Sequence, residues 1–336
     1  MKIIRNQNLR NLNTLGLNVS AKYYASPTSK EELTDLLLDS EFVDIPKMVI
    51  GSGSNILFSR DYDGLLIHPA MTEILVTGEN EKSLCLRVGA GIVWDDLVAY
   101  TIERGWGGLE NLSGIPGCVG AAPVQNIGAY GAEAKDSITE VEFAEIGSAK
   151  ESRLQGEECK FGYRDSIFKR ELKSKIVITF VTFKLSKVYQ INSNYADVSE
   201  ALKGVECPTL QNLRDIIIDI RKRKLPDPAE VGNAGSFFKN PVLPEALANS
   251  IYATNPTLKI FPVSPGYCKI PAAWLIEQSG FKGKRFGNVG VHASQALVLL
   301  AFDGAKGQEL IDLSAKIRQT VFEKFGVEIE PEVNIC

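Results

Sequence analysis

Between Gly105 and Gly131 the chain places eight glycines, at 105, 107, 108, 114, 117, 120, 128 and 131, and stiffens the run with Pro116 and Pro123. A loop of this length inside a compact domain is either functional or disordered. This one carries few charges and several apolar residues, which argues against disorder. The fold must therefore frame a long, ordered, glycine-dense segment. The alternative, an irregular connection without a task, stays open on this observation alone.

The rest of the chain supplies a frame of ordinary globular composition. Its 336 residues suggest two domains at about 150 residues each. Hydrophobic residues make up 44% and charged residues 23%, enough for a sizeable core. Lys and Arg number 37 against 41 Asp and Glu, and 37 − 41 = −4 leaves no global basic field to attract nucleic acid or anionic lipid. No apolar run approaches the roughly 18 residues of a membrane helix. Met1-Lys-Ile-Ile-Arg-Asn6 does not read as a secretory leader, so a cytoplasmic protein is expected. The six cysteines, 85, 118, 159, 207, 268 and 336, include no CxxC pair, which argues against a zinc site or a disulfide scaffold, and no metal is expected. With only His68 and His292, chemistry that needs several histidines is nearly excluded.

Periodicity predicts a helix over Lys30–Leu38, with Thr28 and Glu31 at capping-box spacing and Leu33, Leu36 and Leu37 on one face. Strands are predicted at 47–50, 65–68, 73–76, 84–88 and 138–146, and a helix from Trp94 to about Arg104 that Gly105 stops. Alternation is strongest at Ile176–Leu185. It predicts Ile176, Ile178, Phe180 and Thr182 on one face and Val177, Thr179, Val181 and Phe183 on the other. The polar stretch 186–208 is the candidate boundary. A helix carrying Leu210, Leu213, Ile216, Ile217 and Ile220 follows and ends in Arg221-Lys-Arg-Lys224. Helices at 272–278 and 308–325 precede a closing strand over 327–335. Strands early and mixed helices late predict an α+β chain of two lobes.

Gly51-Ser-Gly-Ser-Asn-Ile56 tempts a dinucleotide-fold reading and fails it. Ile56 stands where glycine or alanine belongs, and no amphipathic helix follows. What survives is a loop of backbone N–H groups and hydroxyls suited to a pyrophosphate, or a plain tight turn. Phe161-Gly-Tyr-Arg-Asp-Ser166 sets Arg164 among aromatics, either as a carboxylate fork or as a surface residue stacked on Tyr163. Asn233-Ala-Gly-Ser-Phe-Phe-Lys-Asn-Pro241 puts Ser236 on a glycine turn beside two phenylalanines, but it is not the G-x-S-x-G elbow. His292 and His68 read as structural. Glu328, Glu330 and Glu332 share one face of the closing strand opposite Val327, Ile329 and Val333, ordinarily a solvated arrangement. Pro331 marks an edge strand or a strand end.

Together these segments, with Asn13-Thr-Leu-Gly16, Lys224-Leu-Pro-Asp-Pro228 and Glu330-Pro-Glu-Val333, resemble the UDP-N-acetylenolpyruvoylglucosamine reductase family nearly end to end. The resemblance implies a FAD-binding region of the PCMH (vanillyl-alcohol-oxidase) type over 1–190, split into two subdomains near 70. It also implies an α/β substrate-binding domain over 210–336 whose last strand reaches the active site. It implies non-covalent FAD, with Gly51, Ser52, Gly53, Ser54 and Asn55 in one cofactor loop. The second loop would use Ser113, Ile115, Pro116, Gly117, Gly120, Asn126, Gly128, Ala129, Tyr130 and Gly131. Ala121-Ala122 departs from the serines common there, which removes a hydroxyl from the cofactor's surroundings.

The implied reaction is NADPH-driven reduction of UDP-N-acetylglucosamine enolpyruvate to UDP-N-acetylmuramate for peptidoglycan precursors. Arg164 would hold negative charge, Ser236 would protonate C2, and Glu332, with Glu330 as the alternative, would be the nearby acid. Tyr195 (on the capping loop of the type I branch), Arg221, Lys224, Asn240 and Gln295 would contact substrate. A monomer is expected, with no nucleic-acid or membrane partner. Two competing readings are another FAD oxidoreductase of the same cofactor fold, acting on a sugar or alcohol, and a non-catalytic nucleotide-sugar binding protein.

Overall fold

The computed structural model describes residues 1–336, which divide into two compact units. The first comprises Met1–Gln7, Ala21–Gly53 and Tyr62–Arg223. The second comprises Asn8–Ser20, Ser54–Asp61 and Lys224–Cys336.

The first unit holds two sheets. In one, the strands Ile3–Asn8, Ser20–Ala25, Tyr62–Ile67 and Lys47–Val49 lie side by side in that order, the last three parallel. Helix α1, Lys30–Leu38, buries Leu33, Leu36 and Leu37 against Ala25, Leu65, Ile67 and Phe42. Its cap lies one residue beyond the predicted pair. Ser29 accepts from the Glu32 N–H, and the Glu32 carboxylate accepts from the Thr28 N–H at 2.8 Å. Ser29 thus satisfies a first-turn donor while Glu32 reaches back to the residue before the cap, and the exposed Glu31 carboxyl is held below its ordinary value by a hydrogen bond from the Ser29 hydroxyl.

The other sheet is antiparallel, in the order Glu151–Gln155, Ile138–Glu145, Ile176–Ser186, Ser83–Gly89, Ile74–Glu79. Its central strand is buried on both faces, and the predicted faces are corrected halfway along. Ile176 and Ile178 join the core of helix α2 (Trp94–Glu103) with Trp94, Leu97 and Val98, but so do Val181, Phe183 and Leu185. Val177 and Phe180 face the α1 core instead. The cause is a β-bulge. Glu142 pairs with Phe180 and Phe143 with Ile178, so Thr179 is the extra residue and the alternation inverts across it. The Thr179 carbonyl accepts from the Ala90 N–H, and the Ala90 carbonyl accepts from the Gly120 N–H, both at 2.9 Å. The bulge thus ties the sheet to the glycine segment.

One charge cluster lies where the sheet meets α1. Glu142 accepts from the Arg87 Nε and Nη2 and from the Lys30 Nζ, and Arg87 stacks 3.4 Å from the Phe180 ring centroid. Burial alone would raise the Glu142 pKa. The hydrogen bonds from Arg87 and Lys30 outweigh it and hold the carboxyl at about 2. A carboxylate depressed on folding contributes stability above its unfolded pKa and loses it as pH falls through the folded value. Glu142→Gln is therefore expected to cost about 2–4 kcal/mol at neutral pH, because it leaves Arg87 and Lys30 under-paired. The cost should shrink between pH 4.5 and about 2, read by urea midpoints across that range.

Helices α3 (Ala196–Ala201) and α4 (Leu210–Lys224) pack through Val198, Leu213, Ile217 and Ile220. Arg214 of α4 grips Asp95 in a two-point ion pair at 2.6 and 2.8 Å. Residues 210–223 thus belong to the first compact unit, and the division falls within the basic run, between Arg223 and Lys224, rather than in the polar stretch 186–208.

The second unit is built on the antiparallel order Gly232–Ser236, Val298–Ala301, Val289–Val291, Arg285–Phe286. Helices α5 (Glu245–Thr254), α6 (Ala272–Gln278) and α7 (Gly307–Phe325) complete it, α7 burying Leu310, Leu313, Ile317 and Val321. The predicted closing strand is corrected too. Val327 and Ile329 alternate inward as expected, but only Asn334–Ile335 is strand, paired parallel to Ile56–Leu57. Pro331 has no N–H to give a ladder and makes only a single bridge, to Phe238. No helix of the chain is long and apolar enough to cross a membrane.

Candidate active site

The glycine segment is ordered by its neighbours rather than by its own regular structure. The Trp94 indole donates to the Leu112 carbonyl, the Val119 N–H to Ile92, and the Gly114 N–H to the Asp95 carboxylate at 2.6 Å. The loop 51–53 lies against it. A Cβ on Gly51 would stand 3.5 Å from the Ala121 Cβ and 3.7 Å from the Cys118 Cβ. Ser52 Oγ and Cys118 Sγ share a hydrogen bond at 3.0 Å. Burial pushes the Cys118 thiol up, so it serves as a neutral partner. Neither loop opens an α-helix. Two closely approaching loops of small side chains leave main-chain N–H groups of the kind that receive a diphosphate, and these residues fit FAD. Cys118 was not singled out from the sequence, and its spacing alone gave no signal.

The expected cofactor residues divide by where their side chains go. The Ser113 hydroxyl is fully buried and donates to the Glu110 carbonyl. Asn126 is also fully buried. Its amide donates to Glu133 and to the Gly162 carbonyl, each at 3.0 Å, and accepts from the Lys135 N–H. With both N–H donors engaged in protein, this side chain fixes the segment from behind. Ile115, Pro116, Gly117, Gly120, Gly128 and Ala129 line the same turn-rich stretch, Gly117 with φ +139°.

Through Asn126 the segment reaches the Arg164 turn. Gly162 and Asp165 exchange backbone hydrogen bonds across it, and Arg164 has φ +53°, a left-handed conformation that side chains rarely adopt. Ser166 Oγ donates to the Val124 carbonyl at 2.6 Å and Lys169 Nζ to the Arg164 carbonyl. The result delivers the guanidinium to the Gly128 carbonyl at 2.7 Å, while its carbon lies 5.6 Å from the Tyr163 ring centroid. Strain at such a turn is held only where neighbours over-determine it, which is common at functional sites. The strained turn brings Arg164 to the glycine segment, so the contact with the Tyr163 ring that the sequence suggested is present and a main-chain hydrogen bond to Gly128 is added to it.

Tyr130, Tyr195 and Arg221 come together in the same unit. The two rings meet edge to face at 5.2 Å. Arg221 passes under Gly114, whose Cβ would stand 3.1 Å from its Cδ. Burial pulls the Arg221 guanidinium below its ordinary value, and the Tyr130 phenol oxygen, which accepts a hydrogen bond from it, and the charge of Asp95 work against that pull. The cluster offers a cation and two aromatic rings.

In the second unit, Ser236 ends the strand Gly232–Ser236 after an irregularity between Asn233 and Ser236. The buried Asn233 makes it. Its amide donates to the Pro226 and Val231 carbonyls and accepts from the Gly235 N–H, with Gly235 at φ +66°. Phe237 and Phe238, both buried, follow at once. The Glu332 N–H donates to the Phe237 carbonyl at 2.7 Å and the Lys239 N–H to the Glu330 carbonyl, so the serine turn and the carboxylate segment run side by side. The Glu330 side chain is 73% exposed and pairs with Lys239 at 3.6 Å. The Asn55 amide donates to the Glu332 carbonyl. The Asn240 side chain accepts from the Ala272 N–H at the start of α6. The Gln295 N–H donates to His292 Nδ1, and His68 Nδ1 contacts the Ile50 carbonyl, so both histidines have the structural partners expected of them. Lys224 closes α4.

Comparison with known proteins agrees with this layout. Residues 227–336 match the C-terminal domain of UDP-N-acetylenolpyruvoylglucosamine reductase, and residues 21–148 match an FAD binding domain. The chain is 44% identical to UDP-N-acetylenolpyruvoylglucosamine reductase of Flavobacterium johnsoniae over all of both chains. It is 45% identical to that of Amoebophilus asiaticus, covering 100% of this chain and 99% of the relative. The crystal structure of UDP-N-acetylenolpyruvylglucosamine reductase from Thermus caldophilus superposes with a TM-score of 0.69 over 99% of this chain and 98% of that one, at 23% identity. That likeness extends the shared fold across both units.

Proposed function

The chain belongs to the UDP-N-acetylenolpyruvoylglucosamine reductase family, and from that premise we propose how its residues reduce the enolpyruvyl group of UDP-N-acetylglucosamine enolpyruvate to give UDP-N-acetylmuramate. FAD, when bound, supplies hydride chemistry between NADPH and the enolpyruvyl double bond. The protein's share is charge, a proton and position.

Hydride addition at C3 places electron density at C2, and that density spreads into the adjoining carboxylate. Arg164 opposes it with a fixed, planar cation whose direction the Gly162–Asp165 turn has already set, so little reorganisation is needed when charge develops. Ser236 gives its hydroxyl proton to C2, which completes the saturation of the double bond. A serine is a weak acid and can do this only when held close to a strongly basic carbon. The Asn233 turn supports that role because it fixes the backbone that carries the hydroxyl. Glu332 is the acid beside that step. The observation that carries this choice is the solvent exposure of Glu330 and its pairing with Lys239, set against the backbone bonds that hold Glu332 to Phe237 and Asn55.

Arg221 and Lys224 bind the nucleotide diphosphate, Tyr195 covers it, and Asn240 and Gln295 contact the remaining polar groups. Gly51, Ser52, Gly53, Ser54 and Asn55, with the 113–131 segment, hold the cofactor, Ser113 and Asn126 through main chain and support rather than side-chain contact.

The test is NADPH consumption that depends on the enolpyruvyl nucleotide and yields a product heavier by two hydrogens. Glu332→Gln should lower that rate by at least about 100-fold, and Glu330→Gln should keep it within about threefold. Equal effects of the two substitutions would contradict the choice of Glu332. No nucleotide-dependent consumption in the unmodified protein would contradict the whole reading.

A further inference from the structure

We infer that Asn111 and Asn192 form an amide latch that positions Tyr195 for the nucleotide substrate. The inference rests on the proposed substrate contact of Tyr195 and extends it to two residues outside the proposed substrate and cofactor sets.

Asn111 sits in the turn Glu110–Leu112 and is 3% exposed. Its side-chain amide has two N–H bonds and spends both on main chain: 2.9 Å to the Tyr130 carbonyl and 2.9 Å to the Asn192 carbonyl. These acceptors are 19 and 81 residues away in sequence, so one buried group clamps the glycine segment to the tyrosine loop. Asn192 answers in the opposite direction. Its amide donates to the Gly131 carbonyl at 3.1 Å, and its side-chain oxygen accepts from the Asn194 N–H at 3.2 Å. A Cβ on Gly131 would lie 3.7 Å from that amide, and Gly131 has φ +82°, so a glycine keeps the approach open.

The consequence falls on the short stretch between two anchors. Ile191 packs on one side and Val198 of α3 on the other, both against the α4 core. Between these anchors Asn194 and Tyr195 are exposed, Tyr195 at 41%. Its ring nonetheless meets Tyr130 edge to face, the residue whose carbonyl Asn111 holds. The latch sets the two rings relative to each other before a ligand arrives, which lowers the ordering cost of binding. A broken latch leaves a loop that must be ordered at each encounter.

The experiment compares Asn192→Asp, Asn111→Ala and Tyr195→Ala in the FAD-loaded enzyme. Asn192→Asp keeps the acceptor for Asn194, removes the donor to Gly131, and leaves no buried void, so it stays informative if Asn111→Ala folds poorly. Two quantities are read: the Kd of the oxidised enzyme for the enolpyruvyl nucleotide by calorimetry, and the rate of flavin reduction by NADPH by stopped flow. The latch predicts that Asn192→Asp weakens nucleotide binding about tenfold, as expected for one lost hydrogen bond in a partly buried site, and leaves flavin reduction within about twofold. A loss of nucleotide affinity in Tyr195→Ala with none in Asn192→Asp would overturn the latch and leave the Tyr195 contact standing. No loss in Tyr195→Ala would overturn both. Equal damage to both quantities in Asn192→Asp would show a general structural defect and overturn the positioning role.

Discussion

Replacing Ser236 by alanine is expected to leave flavin reduction by NADPH within about twofold of normal and to slow reoxidation by the enolpyruvyl nucleotide by about 10³-fold. The asymmetry is the point of the prediction. Reduction needs no proton at C2, and the substitution removes one oxygen while the Asn233 turn that fixes the local backbone is built from other groups. The second half-reaction cannot finish without that proton, and water must then supply it from no fixed position. Rapid-mixing spectroscopy separates the two steps because the flavin itself reports both. A variant that loses both half-reactions equally would mean that Ser236 matters for the shape of the site and not for the proton.

Arg164→Lys should be nearly as severe, with turnover down by about 10²–10³-fold. Charge is retained in that variant, so simple electrostatics would forecast a mild effect. An ammonium, however, has no planar fork and cannot hold the Gly128 carbonyl and a carboxylate in fixed directions at once. The left-handed backbone at Arg164 carries strain that the variant would keep without the planar fork. The expected signature is a lowered kcat for nucleotide reduction with flavin reduction little changed. Near-normal turnover would show that net charge alone suffices.

Much of this layout was legible in the residues. The glycine segment announced an ordered loop, the failed dinucleotide pattern at Gly51–Ile56 correctly left a loop without a helix, and the main helices α1, α2, α4, α6 and α7 followed from their apolar spacing. The errors have physical causes. Periodicity assumes an unbroken strand, and the bulge at Thr179, whose carbonyl accepts from the Ala90 N–H, inverts the faces across it. The capping pair expected at Thr28 and Glu31 is displaced by one residue, because the backbone enters the helix at Ser29, whose hydroxyl accepts from Glu32. The closing strand failed at Pro331, whose cost to a ladder was visible in advance. The small sheet of Val242–Pro244, Tyr267–Lys269 and Phe261–Ser264 was not read at all, since its strands are short, mostly exposed and broken by proline. At the site, residue types were legible and their partners were not. Nothing in the sequence says that Asn126 faces inward to Gly162 or that Asp95 caps Gly114, because both depend on segments brought together only by folding.

The most direct measurement is an anaerobic absorbance record of the purified protein loaded with FAD. NADPH should bleach the flavin band, and one equivalent of UDP-N-acetylglucosamine enolpyruvate should then restore it while UDP-N-acetylmuramate appears in equal amount. A flavin that stays bleached after the nucleotide is added, yet recovers its colour in air, would contradict the account.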